Sequence, residues 1–149
     1  MKWVLKELGD LIEIYDHLRK PLSTIERKSM QGKYRYYGAQ GVIDYINKYA
    51  INGEFILIAE DGENLRTRKE PIAFRVSGKF WVNNHSHIVK GKQDVLLDNY
   101  LFYFLNSTSI KAYVTGSAQP KLSQLNLKRI KIPVPNYLIQ KRIASILSA

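Results

Sequence analysis

Cysteine is absent, which excludes disulfides and thiolate metal sites and suits a cytoplasmic protein. No apolar run is longer than the six residues Tyr100 to Leu105, against the roughly 18 or more of a membrane helix. The start, Met1-Lys2-Trp3-Val4-Leu5-Lys6-Glu7, meets charge too early for a signal-peptide core. These deficits predict a protein with no membrane partner. Internal repeats and low-complexity segments are missing too, so one ordered domain is expected from 149 residues.

The deficit with most consequence is of negative charge. After Asp98 there is no Asp or Glu, while Lys111, Lys121, Lys128, Arg129, Lys131, Lys141 and Arg142 follow. Seven of the net +10 charges therefore lie in residues 99–149. So lopsided a field fits a polyanion, an anionic membrane surface or an acidic protein. The membrane reading lacks a long basic amphipathic helix with a strongly apolar face, and nucleic acid fits best.

Periodicity predicts a short opening helix through Trp3, Leu5, Leu8, Leu11 and Ile12, then a strand over 11–15 and a surface loop over 16–33. Tyr34 to Tyr37, Gly38 to Gly41 and Val42 to Ile46 read as strand, turn, strand. Asn52-Gly53 predicts a turn before the strand Phe55 to Ala59, which is apolar on both faces and so central. Asp61-Gly62 turns the chain into a charged loop, and Pro71 opens a strand through Val76. Phe80-Trp81-Val82 and Ile88-Val89 complete the strand-rich part.

Leu97, Leu101, Phe104 and Leu105 share a helical face with Asp94 or Asp98 as cap, and 110–114 forms a short helix or turn. A basic strand over 127–134 is held to a sheet edge by Pro133 and Pro135. The last segment is an amphipathic helix, with an apolar face expected to pack outside the domain. The fold class is α+β, a mixed or antiparallel twisted sheet with short helices.

No triad, Walker loop, dinucleotide fingerprint or Asn-Pro-Pro-Tyr motif occurs. Lys33-Tyr34-Arg35-Tyr36-Tyr37-Gly38-Ala39-Gln40-Gly41 interleaves aromatic and basic residues: arginine suits guanine or phosphate, glutamine suits adenine, and glycines admit a close backbone. The same stretch also reads as an ordinary half-buried strand. Glu60-Asp61-Gly62-Glu63-Asn64 at a strand end would suit a magnesium nuclease, but no second catalytic spacing accompanies it. His85 and His87 are spaced like metal ligands without a third, and are read with Asn84 as DNA donors instead. Gly116-Ser117-Ala118-Gln119-Pro120-Lys121-Leu122-Ser123 offers small residues and donors at the head of the acid-free third.

These segments, with Trp3 to Asp10, Ile56 to Gly62, Val82 to His85, Ile130 to Pro135 and Gln140 to Ala144, span nearly the whole chain. In that order the chain resembles a target recognition domain from the specificity (S, HsdS) subunit of type I restriction-modification systems. The resemblance implies sequence-specific binding of double-stranded DNA at one half of a bipartite site, and no catalysis. It implies modification (M) subunits as partners, which use S-adenosylmethionine, and through them a restriction (R) subunit; this chain itself takes no cofactor. Residues 1–135 would form the reading domain and 136–149 the start of a coiled-coil-type helix. That short helix leaves three readings: a fragment, a truncated gene product, or a half subunit pairing with itself or a second recognition domain.

The expected DNA contacts are Lys33, Arg35, Tyr37, Gln40, Asn64, Arg66, Arg68, Asn84, His85, Ser117, Gln119, Lys121, Ser123 and Lys128, with no catalytic or metal-binding residue. The competing functions are a non-specific or RNA-binding module and a small metal-dependent nuclease built on Glu60, Asp61 and a histidine.

Overall fold

The structure, a computed structural model, describes residues 3–149. Two sheets organise it. Strand β1 (Val4–Glu7) pairs antiparallel with β8 (Lys131–Val134), Val4 facing Val134. The larger sheet contains β2 (Ile12–Ile14), β3 (Gln31–Gly38), β4 (Gly41–Ile46), β5 (Ile51–Ala59), β6 (Ala73–Val82) and β7 (Ser86–Gly91). Its order is β2-β7-β5-β6-β3-β4, and only the β3–β6 pair is parallel.

Alternation along the central strand builds two cores. Ile56 and Ile58 face a cluster with Leu8, Leu11, Leu101, Leu105, Leu127 and Ile132, whereas Leu57 faces Tyr37, Ile51, Phe80, Val82 and Ile88. The adjacent tyrosines of β3 split the same way: Tyr36 joins Leu22, Ile46 and Trp81 in a third, smaller cluster. Each large apolar side chain fully buried in this way contributes about 1.5–3 kcal/mol.

Strand β6 has two partners. Ala73–Phe80 lies along β5 and Phe80–Val82 along β3, and Gly78, at φ +85°, sits near the changeover. That positive φ is where glycine is favoured. The strand delivers its end to the C-terminus of β5, where the Glu60 N–H donates to the His85 carbonyl at 2.9 Å.

Several local expectations are corrected. Residues 4–7 form β1 rather than a helix, because pairing with β8 outweighs the helical spacing; only Leu8–Asp10 coils, as a single 3-10 turn. The segment expected as a loop holds a 3-10 turn at Asp16–Leu18 and helix α1 (Thr24–Lys28). A capping box starts α1: Ser23 accepts from the Glu26 N–H, and Glu26 accepts from the Ser23 N–H. Asn52-Gly53 lies inside β5 and makes no turn. Phe80-Trp81-Val82 continues β6, and a short helix α2 (Asn64–Thr67) interrupts the charged loop.

Helix α3 (Asp98–Ser107) starts after Leu97, with neither expected aspartate as its cap; Asp98 accepts from the Gly91 N–H instead. Residues 124–129 form helix α4 (Gln124–Arg129), so Lys128 and Arg129 leave the expected basic strand. The last helix, α5 (Tyr137–Ser148), is capped by Asn136 and tied down by buried Gln140, which accepts from the Leu97 N–H and donates to the Val95 and Pro135 carbonyls. Of the apolar face expected to pack outside the domain, Ile139, Ile143, Ile146 and Leu147, only Ile146 and Leu147 are exposed, joined by Leu138, while Ile139 and Ile143 are partly buried and Ile143 packs on this domain's own core. Among the described residues no helix is long and apolar enough to cross a membrane.

Candidate nucleic-acid interface

Three connections converge around the C-terminal end of β5. Residues 60–62 run antiparallel to 120–122: the Leu122 N–H donates to the Glu60 carbonyl and the Gly62 N–H to the Pro120 carbonyl. Thr115 and Lys121 exchange backbone hydrogen bonds, closing residues 116–120 into a small loop. Gly116 turns it at φ +88°, and a side chain there would run into the Gln119 carbonyl oxygen. On the other side the β6–β7 turn, 83–85, joins residue 60. The β3–β4 hairpin tip stands beside this turn, because Asn83 N–H donates to the Tyr37 carbonyl.

Arg66 clamps the loop by donating to the Gly116 and Ser117 carbonyls. Ser117, Ala118, Gln119 and Lys121 are left exposed around it. Gln40 at the hairpin tip and Asn84 are exposed as well. The half-exposed ring of His85 is aimed by Asp61, whose carboxylate takes Nδ1 at 2.8 Å. That bond places the proton on Nδ1, so Nε2 is the atom offered outward, an acceptor in the neutral ring and a donor in the protonated one.

Beneath the loops lies a buried polar node. His87, 0% exposed, contacts Asp16 through Nδ1 at 2.7 Å and the Leu122 carbonyl through Nε2 at 2.7 Å. Both partners are acceptors, so the network assigns a proton to each ring nitrogen. Asp16 also accepts from the Ile88 N–H and from Gln124. Burial pushes the Asp16 carboxyl up, but the hydrogen bond and charge of His87, with the Ile88 N–H and Gln124, outweigh it and hold the pKa below 3.8. Arg19 joins the node through Glu60 at 3.0 Å.

Ligand atoms of Asp16, Glu60 and His87 lie within 4.8 Å of one another. Their hydrogen bonds to Arg19, Ile88, Leu122 and Gln124 account for that proximity as a lock between 16–19, β7 and 122–124.

Of the fourteen expected contacts, Gln40, Asn84, His85, Ser117, Gln119 and Lys121 come together with free surface. Others have structural partners instead. Tyr37 is 6% exposed in a core cluster, and its hydroxyl accepts from Arg35. Asn64 is buried and bonds both the N–H and carbonyl of Glu70, closing the loop after α2. Arg68 donates to the Leu105 and Thr108 carbonyls at the end of α3, where burial lowers its pKa. Ser123 caps α4 by accepting from the Asn126 N–H. Lys128 covers Gly9 on the side of the 3-10 turn after β1. Lys33 and Arg35 lie toward the start of β3, away from the hairpin tip.

The node and the Arg66 clamp escape a reading of the sequence. Asp16, Gln124 and His87 are scattered along the chain, and only the fold brings them together. The pairing of Asp61 with His85 had one signal, an acidic and a histidine residue each following an apolar strand.

The family model described as "Type I restriction modification DNA specificity domain" matches residues 1–149. The chain belongs to that family. A putative type I restriction enzyme specificity subunit, S.HindORF215P of Haemophilus influenzae, is 38% identical over 97% of this chain and 36% of its own length. The type I restriction enzyme EcoprrI specificity subunit of Escherichia coli is 29% identical over 95% of this chain and 34% of that protein. The chain thus spans about a third of the length of these curated relatives. The crystal structure of a type I restriction-modification S subunit from M. genitalium superimposes with a TM-score of 0.78 at 18% identity, over 99% of this chain and 38% of that one. That likeness establishes the fold of a specificity domain, α+β with a twisted sheet.

Proposed function

We propose that this specificity domain binds double-stranded DNA in a sequence-specific way, reading one half of a bipartite site. The supporting observation is the convergence of Gln40, Asn84, His85, Ser117, Gln119 and Lys121 on three clamped connections and a hairpin tip. Rigid backbone with free amide, hydroxyl, imidazole and ammonium groups is what direct reading of base edges and phosphates requires. The related subunits' names point the same way.

On this reading the chain does no chemistry. It directs M subunits, which bring S-adenosylmethionine, and through them an R subunit, to the site in the cytoplasm. Residues 1–135 form the reading domain, and the exposed face of α5 is the contact toward a second recognition domain or a second copy.

Selection of duplexes from a randomised pool at moderate salt, with competitor DNA, tests the reading. One short asymmetric motif is the expected outcome. Gln119→Ala should relax preference at one position by about 1–3 kcal/mol, and Lys121→Ala should lower the salt slope by about 0.9 if it meets one phosphate. Binding with no enriched motif would refute sequence reading.

A further inference from the structure

The start of β3 carries a second surface that the loops do not include. Gln31 and Tyr34 both register with Ile46, so the strand bulges at Gly32 and Lys33. Tyr34 packs edge-to-face on Tyr49, with ring centroids 5.3 Å apart. Lys33 Nζ lies 5.5 Å from the Tyr34 ring and Lys79 Nζ 5.0 Å from the Tyr49 ring. Two ammonium groups therefore flank a pair of rings, and both lysines are exposed. Among the described residues neither has a carboxylate partner within 4.0 Å.

The chemistry of this patch differs from that of the loops. A ring face attracts an ammonium without neutralising it, so each lysine is positioned while its charge and N–H donors stay available. Lysine recognises phosphate as a point charge, and a phosphate contact carries no sequence information directly. Arg35 serves the same region structurally: it donates to the Ser77 carbonyl and the Tyr37 hydroxyl, bracing β3 against β6. From Lys33 to Gly38 the strand runs about 17 Å at ~3.3 Å per residue. That matches about five base-pair rises along the duplex axis at ~3.4 Å each.

We propose that Lys33 and Lys79, held by Tyr34 and Tyr49, grip backbone phosphates of duplex DNA flanking the half-site. This rests on the reading of the loops as the sequence-specific surface. The grip adds affinity and orientation on the duplex and no sequence preference.

The test compares the full chain with the double variant Lys33→Ala/Lys79→Ala, following equilibrium binding by fluorescence anisotropy across a salt series. The probes are a duplex of about 10 base pairs centred on the selected motif, one of about 30 base pairs containing it, and one of about 30 base pairs with it scrambled. A control, Lys6→Ala/Lys141→Ala, removes the same charge from β1 and α5. For two phosphate contacts the log–log salt slope should fall by about 1.8 on both long duplexes and stay unchanged on the short one. The affinity ratio of motif to scrambled duplex should hold.

An unchanged slope on the long duplexes, an equal fall in the control, or a lost affinity ratio would each overturn the grip. If the unaltered chain shows no motif, the loop reading fails separately, and the slope on the scrambled duplex still decides whether these lysines meet phosphates.

Discussion

Replacing Asp16 tests the lock under the loops. In Asp16→Ala, the Ile88 N–H, the Gln124 amide and Nδ1 of a fully buried histidine lose their acceptor together. Removing one partner of a buried charged pair costs about 3–5 kcal/mol, a large share of a typical total of about 5–15 kcal/mol. Asp16→Asn should cost far less, about 1 kcal/mol. Its Oδ1 still accepts from Ile88, and its amide donates to Nδ1 of a neutral His87 whose Nε2–H keeps the Leu122 carbonyl, while the exposed Gln124 loses its acceptor and turns to water. Urea denaturation followed by circular dichroism measures both. A loss under about 1 kcal/mol for the alanine variant, or equal losses for both, would refute the ionic account of the node. Because the Asp16 pKa is lowered on folding, its stabilisation is complete above the ordinary carboxylate value of 3.8 and is lost as pH falls through the folded-state value. The asparagine variant should lack that part of the acid sensitivity.

Asp98 should behave in the opposite sense, since burial raises its pKa. A raised value stabilises the fold at low pH and loses that effect as pH rises through it. Asp98→Asn should therefore gain most in melting temperature, relative to the parent, at neutral pH, and least in acid; a gain confined to acid would contradict this. Gly116→Ala should destabilise by about 1–3 kcal/mol, because a side chain there meets the Gln119 carbonyl; urea denaturation checks it, and a neutral change would mean that the turn adapts. Arg66→Ala should weaken motif preference while melting within a few degrees of the parent, since its side chain is 41% exposed and, besides the loop, bonds the exposed Glu63; binding to the selected and scrambled duplexes measures the effect.

Much of the fold was legible in the chain. The both-sided apolar run at 55–59 is central, with β6 and β7 on either side, and the turn at Gly38 to Gly41 joins β3 to β4. What escaped depends on partners distant in sequence. Val4 to Glu7 has helical spacing and becomes a strand only because Lys131 to Val134 lies beside it. The capping box at Ser23 and Glu26 was written in the sequence and was hidden by the polar residues around it. In the candidate site, exposed polar residues near turns were legible, but not which of them the fold uses internally. Asn64, Arg68 and Ser123 are polar residues near turns like Gln119 and Lys121, yet their side chains serve backbone groups of the protein itself: Asn64 and Arg68 donate to carbonyls and Ser123 accepts an N–H.

The pairing of β1 with β8 also brings the two ends of the sheet-bearing segment together. Val4 and Val134 are neighbours across one ladder, so the segment between them begins and ends at nearly the same place. A unit with adjacent entry and exit can be inserted into a host chain, or exchanged for another of the same build, without forcing the flanking segments apart. In such an exchange the two-stranded ladder acts as the socket, and the loops at 40, 84–85 and 117–121 travel with the insert. On the proposed reading, such an exchange would carry all the candidate contact residues across as one set rather than one by one.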